Sequence, residues 1–167
     1  METKEQKNPG MEKVRDLIGS IKIGMLTTQD SAGRLVSRPM AVMQMDEEGS
    51  LWFFTRDDSA KTEQVARDYH VNVAFAHPDD ASYVSVSGTA REIHDRAKID
   101  ELWSPAAKPW FPEGKDDPSL SLLQVRTDTA EYWDSTSSRM VRLFEMARAA
   151  LTGDTYKEGE NKLVHNR

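Results

Sequence analysis

The chain contains no cysteine. That absence excludes disulfides, a thiolate nucleophile and any cysteine-ligated metal. Long apolar runs are missing too: mean hydropathy is -0.67 and hydrophobic residues make up 38% of the chain. No segment is long and apolar enough for a membrane-spanning helix. The opening METKEQKNPG carries charge where a signal peptide needs an apolar stretch, so the expectation is a cytoplasmic chain with no membrane partner. Basic charge is in short supply, with 22 Lys and Arg against 28 Asp and Glu, a net charge of -6 and a pI near 5.3. Nucleic acid is therefore excluded as the main partner, because neutralising its phosphates needs a dense basic face. A small phosphate-bearing ligand needs only a few local cations and stays compatible. The four histidines, His70, His77, His94 and His165, show no metal-ligand spacing, so no metal is expected. No glycine-rich fingerprint follows a strand and no G-x-S-x-G elbow is present, which removes a Rossmann turn, a P-loop and a serine hydrolase.

What is present reads as hairpins in series. Met11, Val14, Leu17 and Ile18 fall on one face of a short helix over residues 9 to 19, with Pro9 in its first turn. "IKIGMLTTQ", the turn "DSAG" and "RLVSRPMAVMQMD" make a first hairpin, and "LWFFT" makes a third strand. Residues 59 to 68 are helical, with Asp58 or Ser59 as N-cap. "VNVAFAH" and "SYVSVSGTAREI" form a second hairpin around Pro78, "DRAKIDELW" is a helix, and "LSLLQVRTDTAEYWD" is a last strand. Between them, "SPAAKPWFPEGKDDPS" is an ordered loop carrying Trp110 and Phe111. A final helix presents Met140, Leu143, Phe144, Ala147 and Leu151 on one face. The fold class expected is mainly β with α: an antiparallel barrel of about six strands with peripheral helices. Residues 1–151 form one domain and residues 152–167 a loosely held tail.

Two segments carry candidate chemistry. In "SRPM", residues 37 to 40, Pro39 cannot donate to a ladder and marks an edge or bulge, beside which Arg38 projects. Taken alone, this is more simply a surface arginine. In "LWFFTRDDSAK", Thr55, Ser59 and Lys61 offer hydroxyl and cationic donors at a helix start, a natural place for an anion. The two segments are expected to be neighbours in an antiparallel meander, in which case Arg38, Thr55, Ser59 and Lys61 could converge on one anion. Arg56, Asp57 and Asp58 read as turn residues. Ser85 and Ser87 share a strand face, either as room for a ring or as a solvated side. Trp110, Phe111 and Trp133 either plug the barrel ends or cover a flat heteroaromatic ligand.

The ordered series "IGMLTT", "GRLVSRPMAV", "LWFFTRDDSAKTEQV" and "VNVAFAHPDDASYVSVSGTARE" resembles the flavin-binding split-barrel superfamily that includes pyridoxamine 5'-phosphate oxidases. With "WSPAAKPWFPEGKDDP" it is most similar to the general stress protein 26 branch, and the resemblance runs from about residue 9 to about residue 150. It implies a six-stranded split barrel that forms a homodimer, with an FMN (or FAD) at each of two sites in the subunit interface. It further implies that Ser37, Arg38, Pro39 and Met40 lie along the flavin ring, with Arg38 reaching the phosphate. Phe54 and Thr55 match ring and ribityl contacts, and Ser59 and Lys61 match the phosphate-binding turn. Trp110 would approach the ring from the partner subunit, and Trp133 is a further match. The C-terminal "GDTYKEGENKLVHNR" does not resemble the substrate-binding segment of the oxidases, so vitamin B6 oxidation is not implied. The functions left open are a flavin-dependent oxidoreductase, a flavin-binding or flavin-sensing protein without turnover, and a split barrel holding another ligand. No catalytic side chain is assigned.

Overall fold

The computed structural model describes residues 8–135, 139–155 and 159–166. Helix α1 (Pro9–Ile21) opens it, and the Asn8 side-chain oxygen accepts from the amides of Gly10 and Met11 at its N-terminus. Its inner face buries Met11, Val14 and Ile18 in the main core. Each such side chain contributes about 1.5–3 kcal/mol on leaving water.

Eight strands follow: β1 (Ile23–Gln29), β2 (Leu35–Ala41), β3 (Gln44–Met45), β4 (Ser50–Arg56), β5 (His70–His77), β6 (Ser82–Ile93), β7 (Leu120–Asp134) and β8 (Glu160–His165). Helix α2 (Ala60–Arg67) lies between β4 and β5, α3 (Arg96–Leu102) between β6 and β7, and α4 (Arg139–Thr152) before β8. All pairings are antiparallel in the order β2-β1-β5-β6-β7-β4-β3, with β8 on β7. The run expected as one strand over residues 34 to 46 is divided, because it changes partners. The Val42 amide donates to Lys22 O at 2.9 Å, on the β1 side, while the Met43 amide donates to Trp52 O at 2.8 Å, on the β4 side. The two ends of the sheet are thus one stretch of chain, and the sheet curls into a split barrel with helices. The core lies inside the curl, where Leu26, Phe53, Val73, Phe75, Val86 and Val125 are sealed from solvent. A second cluster sits outside β4 and β7, where α3 and the proline-rich loop cover Trp52, Leu120 and Leu122 with Ile99, Ala107 and Phe111.

Two expectations are corrected. Strands β2 and β4 are not meander neighbours: β2 pairs β1, and β4 pairs β3 and β7. And the loosely held tail is, over Glu160–His165, a strand paired with Thr129–Asp134 and burying Val164. Charged composition hid it, since only one side chain of β8 faces the core. The expected apolar face of α4 is not buried within the chain, for Leu143, Phe144 and Leu151 are exposed; the Met140 side chain lies outside the described residues. What fastens α4 is Arg142, which donates to the carbonyls of Asp79 (2.6 Å) and Asp80 (3.2 Å).

Strand β7 keeps β6 along its length by means of a bulge, since Ser87 faces Thr129 and Gly88 faces Thr127, leaving Asp128 out of register. A Cβ on Gly88 would stand 2.0 Å from Arg126 O. Backbone cannot give way as a side-chain tip can, so Gly88→Ala should cost about 2–4 kcal/mol, read as a fall in the urea midpoint. A second expectation concerns Tyr132, whose hydroxyl donates to Glu160 at 2.8 Å. Burial first, then that bond, raises its pKa to about 12. The folded state therefore holds this proton more tightly than the unfolded chain, and its contribution is lost as pH rises from about 10 towards 12. Urea midpoints should fall across that window, and Tyr132→Phe should flatten the fall.

Candidate functional site

The site is built around α2. Ser59 is its N-cap: the hydroxyl oxygen accepts from the Thr62 amide at 3.3 Å and lies 2.6 Å from Thr62 Oγ1, which donates to Arg56 O at 2.9 Å. Because Thr62 spends its proton on that carbonyl, the Ser59 hydroxyl donates to Thr62. The Ser59 side chain is thus committed to the helix start. The first-turn amides of Ala60 and Lys61 meet no acceptor among the described residues, as helix geometry dictates.

Arg38 reaches α2 from β2. Its Nη1 donates to Thr28 Oγ1 at 2.6 Å and to Leu26 O at 3.3 Å, and its Nη2 donates to Gln64 Oε1 at 3.0 Å. The Thr28 hydroxyl in turn donates to Gln64 Oε1 at 2.5 Å. This closed triangle fixes the guanidinium against the flank of α2 that also carries Lys61. Burial lowers the pKa of Arg38, and burial followed by the Arg38 charge lowers that of Lys61; Arg56 adds to the effect on Lys61 and Asp58 opposes it. Neither Arg38 nor Lys61 makes a salt bridge among the described residues. Two half-buried cations that repel each other, neither in an ion pair among the described residues, are placed where an anion could lie between them.

Hydroxyls with spare capacity sit beside them. Thr55 is buried, and its Oγ1 finds only weak contacts, to Ser59 Oγ and Arg56 O, both at 3.5 Å. Across the ladder from Thr55 stands Ser121, whose buried Oγ has no partner. The residues present therefore fit a phosphate with an attached polyol: cations and free amides for the charge, unsatisfied hydroxyls for hydrogen bonds.

The structure thus brings Arg38, Thr55, Ser59 and Lys61 to one end of the barrel. It does so through the curl and α2 rather than through strand adjacency. Within "SRPM" the faces alternate. Arg38 and Met40 turn inward; Ser37 and Pro39 turn outward, with Ser37 Oγ 2.6 Å from Thr27 Oγ1 and Pro39 on the edge strand. Phe54 faces away from Thr55 and packs on Trp103 and Phe111 at ring-centroid distances of 5.7 and 6.3 Å. Trp110, 69% exposed, stands in the loop over β4 and β7. Trp133 lines a cavity of about 380 Å³ with Ala81, Tyr83 and Asp134, away from the cations. Among the described residues no cluster of carboxylates and histidines could hold a metal, and no helix is long and apolar enough to cross a membrane. Thr28, Gln64 and Ser121 are contributors that spacing does not reveal. The only trace of Gln64 is its i+3 position from Lys61 on the same helix flank.

Comparison with known proteins places this architecture. The family model for pyridoxamine 5'-phosphate oxidase-like proteins matches residues 10–157. The protein bli-3 of Neurospora crassa is 33% identical over 155 residues, covering 85% of this chain and 74% of its own. Among solved structures, a Jannaschia sp. CCS1 protein described as general stress protein 26 superposes with a TM-score of 0.77 at 28% identity, covering 94% of this chain and 98% of its own. The general stress FMN/FAD binding protein of Xanthomonas citri superposes with a TM-score of 0.65 at 34% identity, covering 77% and 90%. The split barrel, the match over residues 10–157 and these relatives lead to one conclusion: this chain belongs to the pyridoxamine 5'-phosphate oxidase-like family.

Proposed function

We propose that this protein is a flavin-binding protein of the general stress type, and that the phosphate of FMN occupies the cleft between Arg38 and the start of α2. The observation that carries this reading is the pair Arg38 and Lys61, held together without an anion. The Xanthomonas citri relative, an FMN/FAD binding protein, supports the ligand class. Arg38, oriented by Thr28 and Gln64, and Lys61 would neutralise the phosphate. The amides of Ala60 and Lys61 would bind its oxygens, and Thr55 would hydrogen-bond the ribityl chain. Bound there, the flavin would supply hydride or electron transfer; the chain's own part is to bind, orient and shield it.

The outer faces of β1, β2, β5 and β6 support a second element of the reading, a homodimer with the ring at the interface. Ile23 (52% exposed), Met25 and Tyr83 stand there as exposed large side chains. Between them lie the small side chains of Ser37, Ala74 and Ser85. A face of that kind is suited to meeting its own copy across a two-fold axis. Phe54, Trp110 and Trp133 do not join the phosphate end within one chain, and a partner subunit could bring Trp110 and Trp133 to the ring.

Titration of the protein with FMN, followed by flavin absorption and fluorescence, tests the site. Arg38→Ala and Lys61→Ala should each weaken binding by about 1–3 kcal/mol, roughly 5- to 150-fold. A protein that takes up no FMN overturns the reading, and unchanged titrations in both variants place the phosphate elsewhere. Light-scattering mass should correspond to two chains, and Met25→Asp should give single chains with weakened FMN uptake. A one-chain mass for the unaltered protein would remove the interface from the proposal.

A further inference from the structure

Helix α2 has a second flank, turned away from Arg38, and a groove of about 530 Å³ runs beneath it. Thr62, Ala66 and Tyr69 form one wall, and Thr89, Arg91 and Arg126 form the floor. The β6–β7 register places Thr89 opposite Arg126 and Gln124 opposite Arg91. The two arginines are therefore diagonal neighbours on one sheet face, roughly 7–8 Å apart at their backbones. Like charges so placed repel unless something lies between them.

Nothing among the described residues does. Arg91 uses only Nε, donating to Gln124 Oε1 at 3.1 Å. The Arg126 side chain makes no hydrogen bond or salt bridge among the described residues, and neither does the Thr89 side chain. The one carboxylate on the groove, Glu92, follows Arg91 along the strand and so turns to the opposite face; its Oε1 is buried 3.1 Å from His94 Nε2. Glu92 therefore does not cancel either guanidinium. Tyr69 leaves 54% of its surface exposed, and Ala66 beside it is small, so the wall offers a ring and open space above it.

We propose that this groove is a second ligand site, which takes a small organic oxyanion, a phosphate or carboxylate with hydroxyls on its body. The forked donors of Arg91 and Arg126 hold the oxyanion from two sides, the Thr89 hydroxyl adds a third donor, and the body of the ligand lies along Ala66 and Tyr69. The volume lies within the range of small-molecule sites. Lys61 and Gln64 face the other flank of α2, so this site is separate from the flavin cleft and stands or falls independently of it.

Calorimetric titration tests it with ribose 5-phosphate and with malate as probes, on the full chain carrying Arg38→Ala and Lys61→Ala so that the first cleft cannot contribute. At least one probe should bind, and adding Arg126→Ala or Arg91→Gln should weaken it about tenfold or more. Arg126 is exposed, so its removal does not endanger the fold; Arg126→Lys should restore part of the affinity. Binding of ribose 5-phosphate alone identifies a phosphoester site, and binding of malate alone a carboxylate site. Binding of neither probe, or affinities that Arg126→Ala does not move, overturns the proposal. So does binding that is present in the unaltered chain and lost with Arg38 and Lys61. Failure of the chain to bind FMN leaves this result untouched.

Discussion

Strand β7 is the constraint on which the rest of the structure depends. Its 15 residues pair with β6 on one edge, and on the other with β4 over Leu120–Arg126 and then with β8 over Thr129–Asp134. Without β8, the second half would present a row of unpaired donors and acceptors beside the buried Ala130 and Tyr132. The bulge at Asp128 is where the change of partner occurs, and Gly88 allows it because the β7 backbone passes where a Cβ would be. The chain changes partner once more at Val42 and Met43, and those two switches together turn an open meander into a split barrel.

That closure is what makes a site at the start of α2. The helix sits across the barrel end, anchored by Thr62 and Val65, and each of its flanks looks onto arginines from strands distant in the chain. On one flank the triangle of Arg38, Thr28 and Gln64 holds a guanidinium beside Lys61. Burial first, and then the Arg38 charge, lowers the pKa of Lys61, so keeping this ammonium charged beside the guanidinium opposes folding. On the flavin reading proposed above, a phosphate bound there would relieve this repulsion, so the same arrangement would favour the complex.

Much of this was legible in the sequence, and what was not has physical reasons. Alternation and turn chemistry marked the long strands, and Ser59 was readable as an N-cap because a hydroxyl before helix formers has few other uses. Arg38, Thr55, Ser59 and Lys61 were readable as one group from an expected strand adjacency that the fold does not have, and the family resemblance grouped them again. Thr28 and Gln64 were silent, since a threonine in a strand and a glutamine in a helix are ordinary until a guanidinium arrives between them. Strand β8 was silent for another reason: only Val164 is buried in it, and pairing through backbone leaves no mark on composition. Neighbourhood was misread for β2 and β4, because periodicity fixes which face a residue takes but says nothing of which strand lies alongside.

The sequence by itself determined the class of protein: an acidic, cysteine-free chain with antiparallel β patterning, a capped helix after its third long strand, and no glycine-rich nucleotide fingerprint. Those properties are local, set by side-chain type and by spacing within a few residues. The tertiary structure alone decided that the Arg38 guanidinium is held on the flank of α2 that carries Lys61, that Ser121 lies across from Thr55, and that Arg91 and Arg126 are diagonal neighbours with no carboxylate paired to either among the described residues. These are juxtapositions of residues far apart in the chain. They exist because two strands change partners and curl the sheet, and partner exchange depends on the summed burial and hydrogen bonding of the whole barrel rather than on any one segment.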